Sequence, residues 1–157
     1  MPRRSAGLLL HRTVEGRLEV LVAHMGGPFW AKKDAGAWSI PKGEYEEGED
    51  PLTVARREFE EELGQPPPAG SPVLLGELRQ AGGKRVTVFA QEGDLDVTEV
   101  HSNTFSVQWP PRSGQWRSFP EVDRAEWVDV ETARVRLVKG QVPALDALLE
   151  RLGGAPG

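Results

Sequence analysis

Cysteine is absent from the 157 residues. That excludes a disulfide framework, thiolate-held zinc, an iron–sulfur cluster and a thiol nucleophile, and it suits a reducing compartment. Long apolar runs are missing too. The longest, Ala6–Leu10 and Val20–Ala23, fall far short of the ~20 residues that a membrane-spanning helix needs, so no membrane partner is expected. The short run of small and apolar residues from Ser5 to Leu10 is not expected to act as a secretory leader, and a cytoplasmic protein is expected. Positive charge is also in deficit, with 19 Lys and Arg against 24 Asp and Glu and a net charge of −5. There is thus no general basic field to draw in a nucleic acid, and no nucleic-acid partner is expected.

Glycine and proline, by contrast, are in surplus. The 18 glycines and 13 prolines make up about a fifth of the chain, against roughly an eighth on average. They fall between apolar runs, which suggests one loop-rich domain over residues 1–152 with a flexible tail at 153–157. Segments Gly7–Arg12 and Leu18–His24 read as strands around a turn at Thr13–Gly16, and Val73–Gln80 and Arg85–Ala90 as a hairpin around Gly82-Gly83. Thr104–Trp109 and Arg124–Val128 are further strand candidates. Pro143–Leu152 carries Leu145, Leu148, Leu149 and Leu152 at core spacing for a helix. Strands at both ends of the order with a helix between them imply an α/β fold with a mixed sheet.

The clearest helix is Asp50–Leu63: Asp50 is an N-cap, Pro51 fits the first turn, and Gly64 suits the position after the last turn. With Glu58 at 0° and ~100° per residue, Glu61 falls at about 300° and Glu62 at about 40°. The three carboxylates share a face beside an apolar stripe of Leu52, Ala55, Phe59 and Leu63. Like charges at this spacing repel, and the last turn is the unfavourable end of the helix dipole for anions. A solvated acidic face is one account of the cluster. A hard divalent cation such as Mg²⁺ or Mn²⁺, which turns repulsion into coordination, is the other.

Gly43, Glu49, Arg57-Glu58, Glu61-Glu62 and Gly64, with apolar Phe59 between them, resemble the Nudix box: Gly, five residues, Glu, seven residues, Arg-Glu-apolar-x-Glu-Glu-x-Gly-apolar. Gln65 departs from the final apolar position, where altered local packing is expected. The resemblance implies an α/β/α sandwich around a mixed sheet, with the box forming a loop–helix–loop. It also implies metal-dependent hydrolysis of a nucleoside diphosphate linked to another group. Glu58, Glu61 and Glu62 would then hold Mg²⁺ or Mn²⁺, joined by the backbone carbonyl of Lys42. Glu58 would also serve as base or orient the attacking water. Arg57 would pair with a box carboxylate such as Glu61, and Glu49 would support the metal shell or hold Arg57. Some members place the base on a later loop, for which Glu99, Glu121 and Asp123 are candidates and Glu121 is favoured.

The segment Trp38–Gly43, an aromatic followed by Pro-Lys-Gly, resembles the dinucleoside-tetraphosphatase branch of that family. It implies hydrolysis of diadenosine tetraphosphate to ATP and AMP. The alternatives are a nucleoside-triphosphate or nucleotide-sugar pyrophosphatase and, from another class, a non-catalytic nucleotide-binding regulator. Lys42 is a cation suited to phosphate, and Lys32 and Lys33 are weaker candidates. Tyr45, Trp109, Trp116 and Phe119 offer rings on which a base could stack, and Pro110–Trp116 reads as a specificity loop.

Overall fold

The computed structural model describes residues 3–153. Of the expected tail at 153–157, residues 154–157 lie outside the described residues, as do the first two residues of the chain. Strand β1 (Arg4–Val14) and strand β2 (Arg17–Met25) form the opening hairpin. Glu15 and Gly16 between them both have positive φ, 50° and 78°, the twist that a two-residue hairpin turn requires. Strands β3 (Trp38–Ser39) and β4 (Lys42–Tyr45) follow, then helix α1 (Pro51–Leu63). Strands β5 (Val73–Arg79) and β6 (Arg85–Glu92) form the second hairpin. Strands β7 (Thr104–Gln108) and β8 (Trp116–Pro120) make a separate two-stranded arm. Strand β9 (Val122–Asp129), helix α2 (Val130–Arg136) and helix α3 (Pro143–Arg151) complete the order.

The main sheet runs β3-β2-β1-β6-β5, with β4 on β1 and β9 on β2. The β1–β6 pair is parallel and the other pairs are antiparallel, so the sheet is mixed, as expected. One edge of β1 is shared: Arg4–Gly7 pairs with β4, whereas His11–Val14 pairs with β2. Between them the Leu8 N–H bonds to the Pro41 carbonyl at 3.1 Å.

Both faces of the sheet are covered, which is why β1 reads as a continuous apolar run rather than an alternation. Leu8, Leu10, Leu21 and Ala23 face α1, where they bury Val54, Ala55, Phe59 and Leu63. Leu9, Val20 and Val22 face the other way, onto Ala133 and Leu137 of the α2 segment and Ala144, Leu145 and Leu148 of α3. The result is an α/β/α sandwich. On α3, Ala144 takes an interior place, while Leu152 is half exposed, because the helix ends at Arg151 before that side is covered.

The structure adds β3, β4, β8 and α2 to the expected elements. The Pro110–Trp116 segment proves to be the turn of the β7–β8 hairpin, with Trp116 as the first residue of β8.

Candidate active site

Tertiary hydrogen bonds fix the approach to the acidic helix. Trp38 is fully buried, its indole N–H donates to Asp34 at 2.9 Å, and Arg124 and Arg136 lie over its ring at 5.0 and 4.9 Å. Buried Gln141 accepts the Ile40 N–H at 2.8 Å and donates to the Ser39 hydroxyl at 3.0 Å. These contacts deliver Lys42–Tyr45 onto β1 in one register. The helix then starts and stops as its ends dictate. Asp50 accepts the Thr53 N–H at 3.1 Å. Gly64 adopts the left-handed conformation, φ 76°, and returns its N–H to Glu60 at 2.7 Å.

Burial on α1 corrects the expected stripe. Leu52 is only half-buried, whereas Val54 is fully buried. On the helical wheel Val54 lies at about 320°, so the interior arc runs from Val54 past Glu58 and Glu62 to Ala55, Phe59 and Leu63. The acids are therefore not on an edge beside the core; two of them project from within the packed arc. Glu58 lies against the Cα of Gly43, where any β-carbon would collide with its carboxyl group. Glu62 accepts the Lys42 backbone N–H at 3.2 Å.

Such crowding has an electrostatic consequence. Burial first, then the neighbouring Glu61, pushes the Glu58 carboxyl up to about 7. Burial raises Glu62 to about 8 against the opposing pull of Lys42, with Glu121 and Glu58 adding to the rise. Glu121 is raised as well, by burial and then by Glu61. Carboxylates held this way retain protons unless a cation replaces them. The donor set, several crowded acid oxygens beside a glycine that has room for no side chain, fits a hard divalent ion. Among the described residues no group of three or more His, Asp or Glu side chains stands as a ready coordination shell, and Glu62 accepts the Lys42 amide N–H.

Lys42, Gly43, Glu58, Glu62 and Glu121 line one cleft of about 370 Å³, whose lining also includes Arg3 and Lys84. The fold thus brings Glu121 to the box across 59 residues of chain from Glu62. It does not bring the other two candidate bases. Asp123 bonds to buried His24 at 2.8 Å, and the Glu99 carbonyl accepts a 3.1 Å bond from the Gln65 side chain. Gln65 also donates to the Asp96 carbonyl at 2.7 Å, so the departure from the box pattern ties the helix end to the loop beyond it.

Arg57 pairs with the box carboxylate Glu49, Nη1 to Oε2 at 3.3 Å, which is the alternative in which Glu49 holds Arg57; no ion pair joins Arg57 to Glu61 among the described residues. Three expectations need correction. The Tyr45 ring packs against the α1-side core instead of lining the cleft. Trp116 is 67% exposed on the β7–β8 arm and also lies off the cleft. Lys33 stands over the Phe29 ring at 3.6 Å, away from the carboxylates. Arg3 and Lys84, which sequence reasoning passed over, reach the cleft only because β1 and β6 begin side by side.

A family model for the NUDIX domain matches residues 1–151. An RNA pyrophosphohydrolase of Rhodospirillum rubrum is 29% identical over 141 residues, covering 75% of this chain and 72% of that protein. Among solved structures, a Caenorhabditis elegans Ap4A hydrolase in a binary complex aligns with a TM-score of 0.63 at 20% identity, over 96% of this chain and 98% of that one. The NUDIX domain of Shewanella oneidensis NrtR, complexed with ADP ribose, aligns with a TM-score of 0.63 at 16% identity, over 97% and 89%. No helix among the described residues is long and apolar enough to cross a membrane.

Proposed function

The chain belongs to the Nudix family and is a pyrophosphohydrolase, and from that premise we propose that its substrate is a dinucleoside polyphosphate, diadenosine tetraphosphate, cut to ATP and AMP. The observation that carries the reading is the one cleft whose lining joins Glu58, Glu62 and Glu121 to the cations Arg3, Lys42 and Lys84. Three cations beside the carboxylates suit a polyanionic substrate. The Trp38–Gly43 segment leading into the box supports the same choice.

Glu58, Glu61 and Glu62, with the Lys42 carbonyl, would hold Mg²⁺ or Mn²⁺. A bound ion of that kind screens phosphate charge and acidifies water. Arg57 keeps Glu49, and with it the loop, against the helix that carries those carboxylates. Glu121 has no ion-pair partner among the described residues and acts as the base. It takes the proton as the water oxygen bonds to phosphorus and the bridging P–O bond breaks. Lys42, Arg3 and Lys84 bind the phosphates that leave. Residues 1–152 work as one domain in this scheme.

A second reading, release of pyrophosphate from a 5′-triphosphate end, is favoured by the identity to the R. rubrum protein. Both are tested by incubating the protein with Mg²⁺ and a panel of diadenosine polyphosphates, nucleoside triphosphates, 5′-triphosphate RNA, ADP-ribose and nucleotide sugars, then identifying products. ATP and AMP from the tetraphosphate are expected. Pyrophosphate from a triphosphate with the dinucleotides untouched would replace the first reading with the second. Turnover of none of the panel would revive the regulator.

A further inference from the structure

We propose that His24 is a positioning residue for Glu121. Bonded to Asp123 on one side and to the Lys33 carbonyl on the other, it holds a bulge in β9 from which Glu121 reaches the carboxylate cleft. This role rests on the reading of Glu121 as the base. Along β2, Leu21 and Ala23 face α1, while Val20 and Val22 face the other layer. Alternation carries His24 onto that second face, where it is fully buried and stands edge-on to Trp38, ring centroids 5.0 Å apart. Its Nε2 lies 2.7 Å from the Lys33 carbonyl and its Nδ1 2.8 Å from Asp123. Both partners are acceptors, so the ring donates twice.

Asp123 reaches that ring because β9 breaks its own alternation. Trp127 and Ala125 lie on the α1 face, and the next place on that face would fall to Asp123. The pairing with β2 shifts instead: His24 stands opposite Arg124, but Met25 stands opposite Val122. Asp123 is the extra residue of a β-bulge, turned across the sheet to His24, and Val122 takes the place in the α1-side core. Bulges beside active sites re-aim side chains in this way. Immediately beyond, Glu121 is pinned through its backbone. Its N–H donates to the Asn103 carbonyl at 2.8 Å, and its carbonyl accepts the Gly26 N–H at 2.8 Å. Without the bulge the ladder would slide by one residue, and Gly26 would face Val122 instead of Glu121.

The surrounding charges brace the same corner. Arg124 stands 3.8 Å from Asp123 and 3.7 Å from Glu126. Arg136 joins Glu126, at 3.0 Å, to Asp34, at 3.5 Å, and Asp34 accepts the Trp38 indole N–H. Ion pairs and His24 together thus tie the loop that carries Lys33 to the strand that leads to Glu121. Stability alone does not call for a polar pair here, because apolar side chains commonly fill such a buried place at no loss.

The test measures kcat and KM with Mg²⁺ and diadenosine tetraphosphate, or with 5′-triphosphate RNA if that is what the wild-type enzyme cleaves. Glu121→Gln should lower kcat by about 10³, as loss of a general base does. In His24→Gln the amide can donate to Lys33 but turns its oxygen to the Asp123 carboxylate. That variant should lower kcat by about 10² with KM changed less than about twofold, the scale of an ångström's misplacement. Adding Asp123→Asn supplies a donor to the amide oxygen and should return most of the lost kcat. Asp123→Ala, at a partly exposed position, should cost about tenfold, and it carries the test if His24→Gln does not fold. In the Glu121→Gln background neither change should cost anything further, since groups that act as one unit are not additive. Full repetition of their cost in that background would make His24 merely structural and overturn its role. So would an unchanged kcat in both single variants while Glu121→Gln is impaired, with the base reading kept. Full activity in Glu121→Gln would instead remove the base, and the role of His24 with it.

Discussion

Helices α1 and α3 cover opposite faces of one sheet, and each starts with proline in its first turn, yet they spend their charges in opposite ways. In α3, Asp146 lies in the first turn and Arg151 in the last, where the helix dipole favours them. Asp146 also reaches Arg134 at 2.6 Å. In α1 the first turn has no acid and the last no base. Its acids stand at the negative end, two of them within the interior arc. A helix selected for stability alone would look like α3. In α1 the arrangement costs stability at every step, and the difference marks which helix works as a ligand-bearing surface.

The contrast can be pressed hardest with Glu62→Gln. It should lower kcat by about 10³, the scale of removing a key electrostatic group from a site. It should also raise the melting temperature of the metal-free protein, because a buried acid is replaced by a neutral isostere. A fall in melting temperature would mean that Glu62 is structural, as acids in α3 are. Gly43→Ala should cost about 10² in kcat with the fold kept, since the new methyl displaces Glu58 by roughly an ångström. Normal activity in that variant would separate Glu58 from the chemistry.

A pH series sharpens the comparison in another way. Glu58 and Glu62 titrate near 7 and 8 in the folded chain against an ordinary value of 4.5. The native state binds more protons than the unfolded state between those limits, so stability falls as pH rises from about 5 to about 8. Thermal melts in EDTA should show that decline, and Mg²⁺ should raise the melting temperature more at pH 8 than at pH 5. Equal Mg²⁺ shifts at both would place the ion elsewhere. Asp146 runs the other way: Arg134 holds it below the usual range, so its contribution is lost only as pH falls. The smallest effect is expected for Asp146→Asn, under about 1 kcal/mol for an exposed pair, with kcat unchanged.

What could be read from sequence follows how far each signal reaches along the chain. The ends of α1 are legible because Asp50, Pro51 and Gly64 act within a turn of themselves. Gly43 to Gly64 is legible as chemistry because the box is contiguous. Strand β4 is not, since its polar residues become a strand only by pairing with Arg4–Gly7. Helix α2 is seven residues long, too short for periodicity to speak, although Asp129 caps Thr132 at 2.7 Å and that spacing is a usable sign. The inward turn of Glu58 and Glu62 depended on Val54, which closes the arc from the other side.

The divided edge of β1 bears on timing. Four residues of β4 hold the box loop to the sheet, whereas β1 and β6 are zipped over eight. Breathing that frees Lys42–Tyr45 can leave the rest of the ladder closed, and such partial opening is the low-energy kind that amide exchange detects. The backbone that shapes the carboxylate cleft would then exchange its hydrogens sooner than Leu9 or Val88, and an ion bridging loop to helix would slow that clock locally. The enzyme's working part is hung on the central strand of the sheet by a seam of four residues.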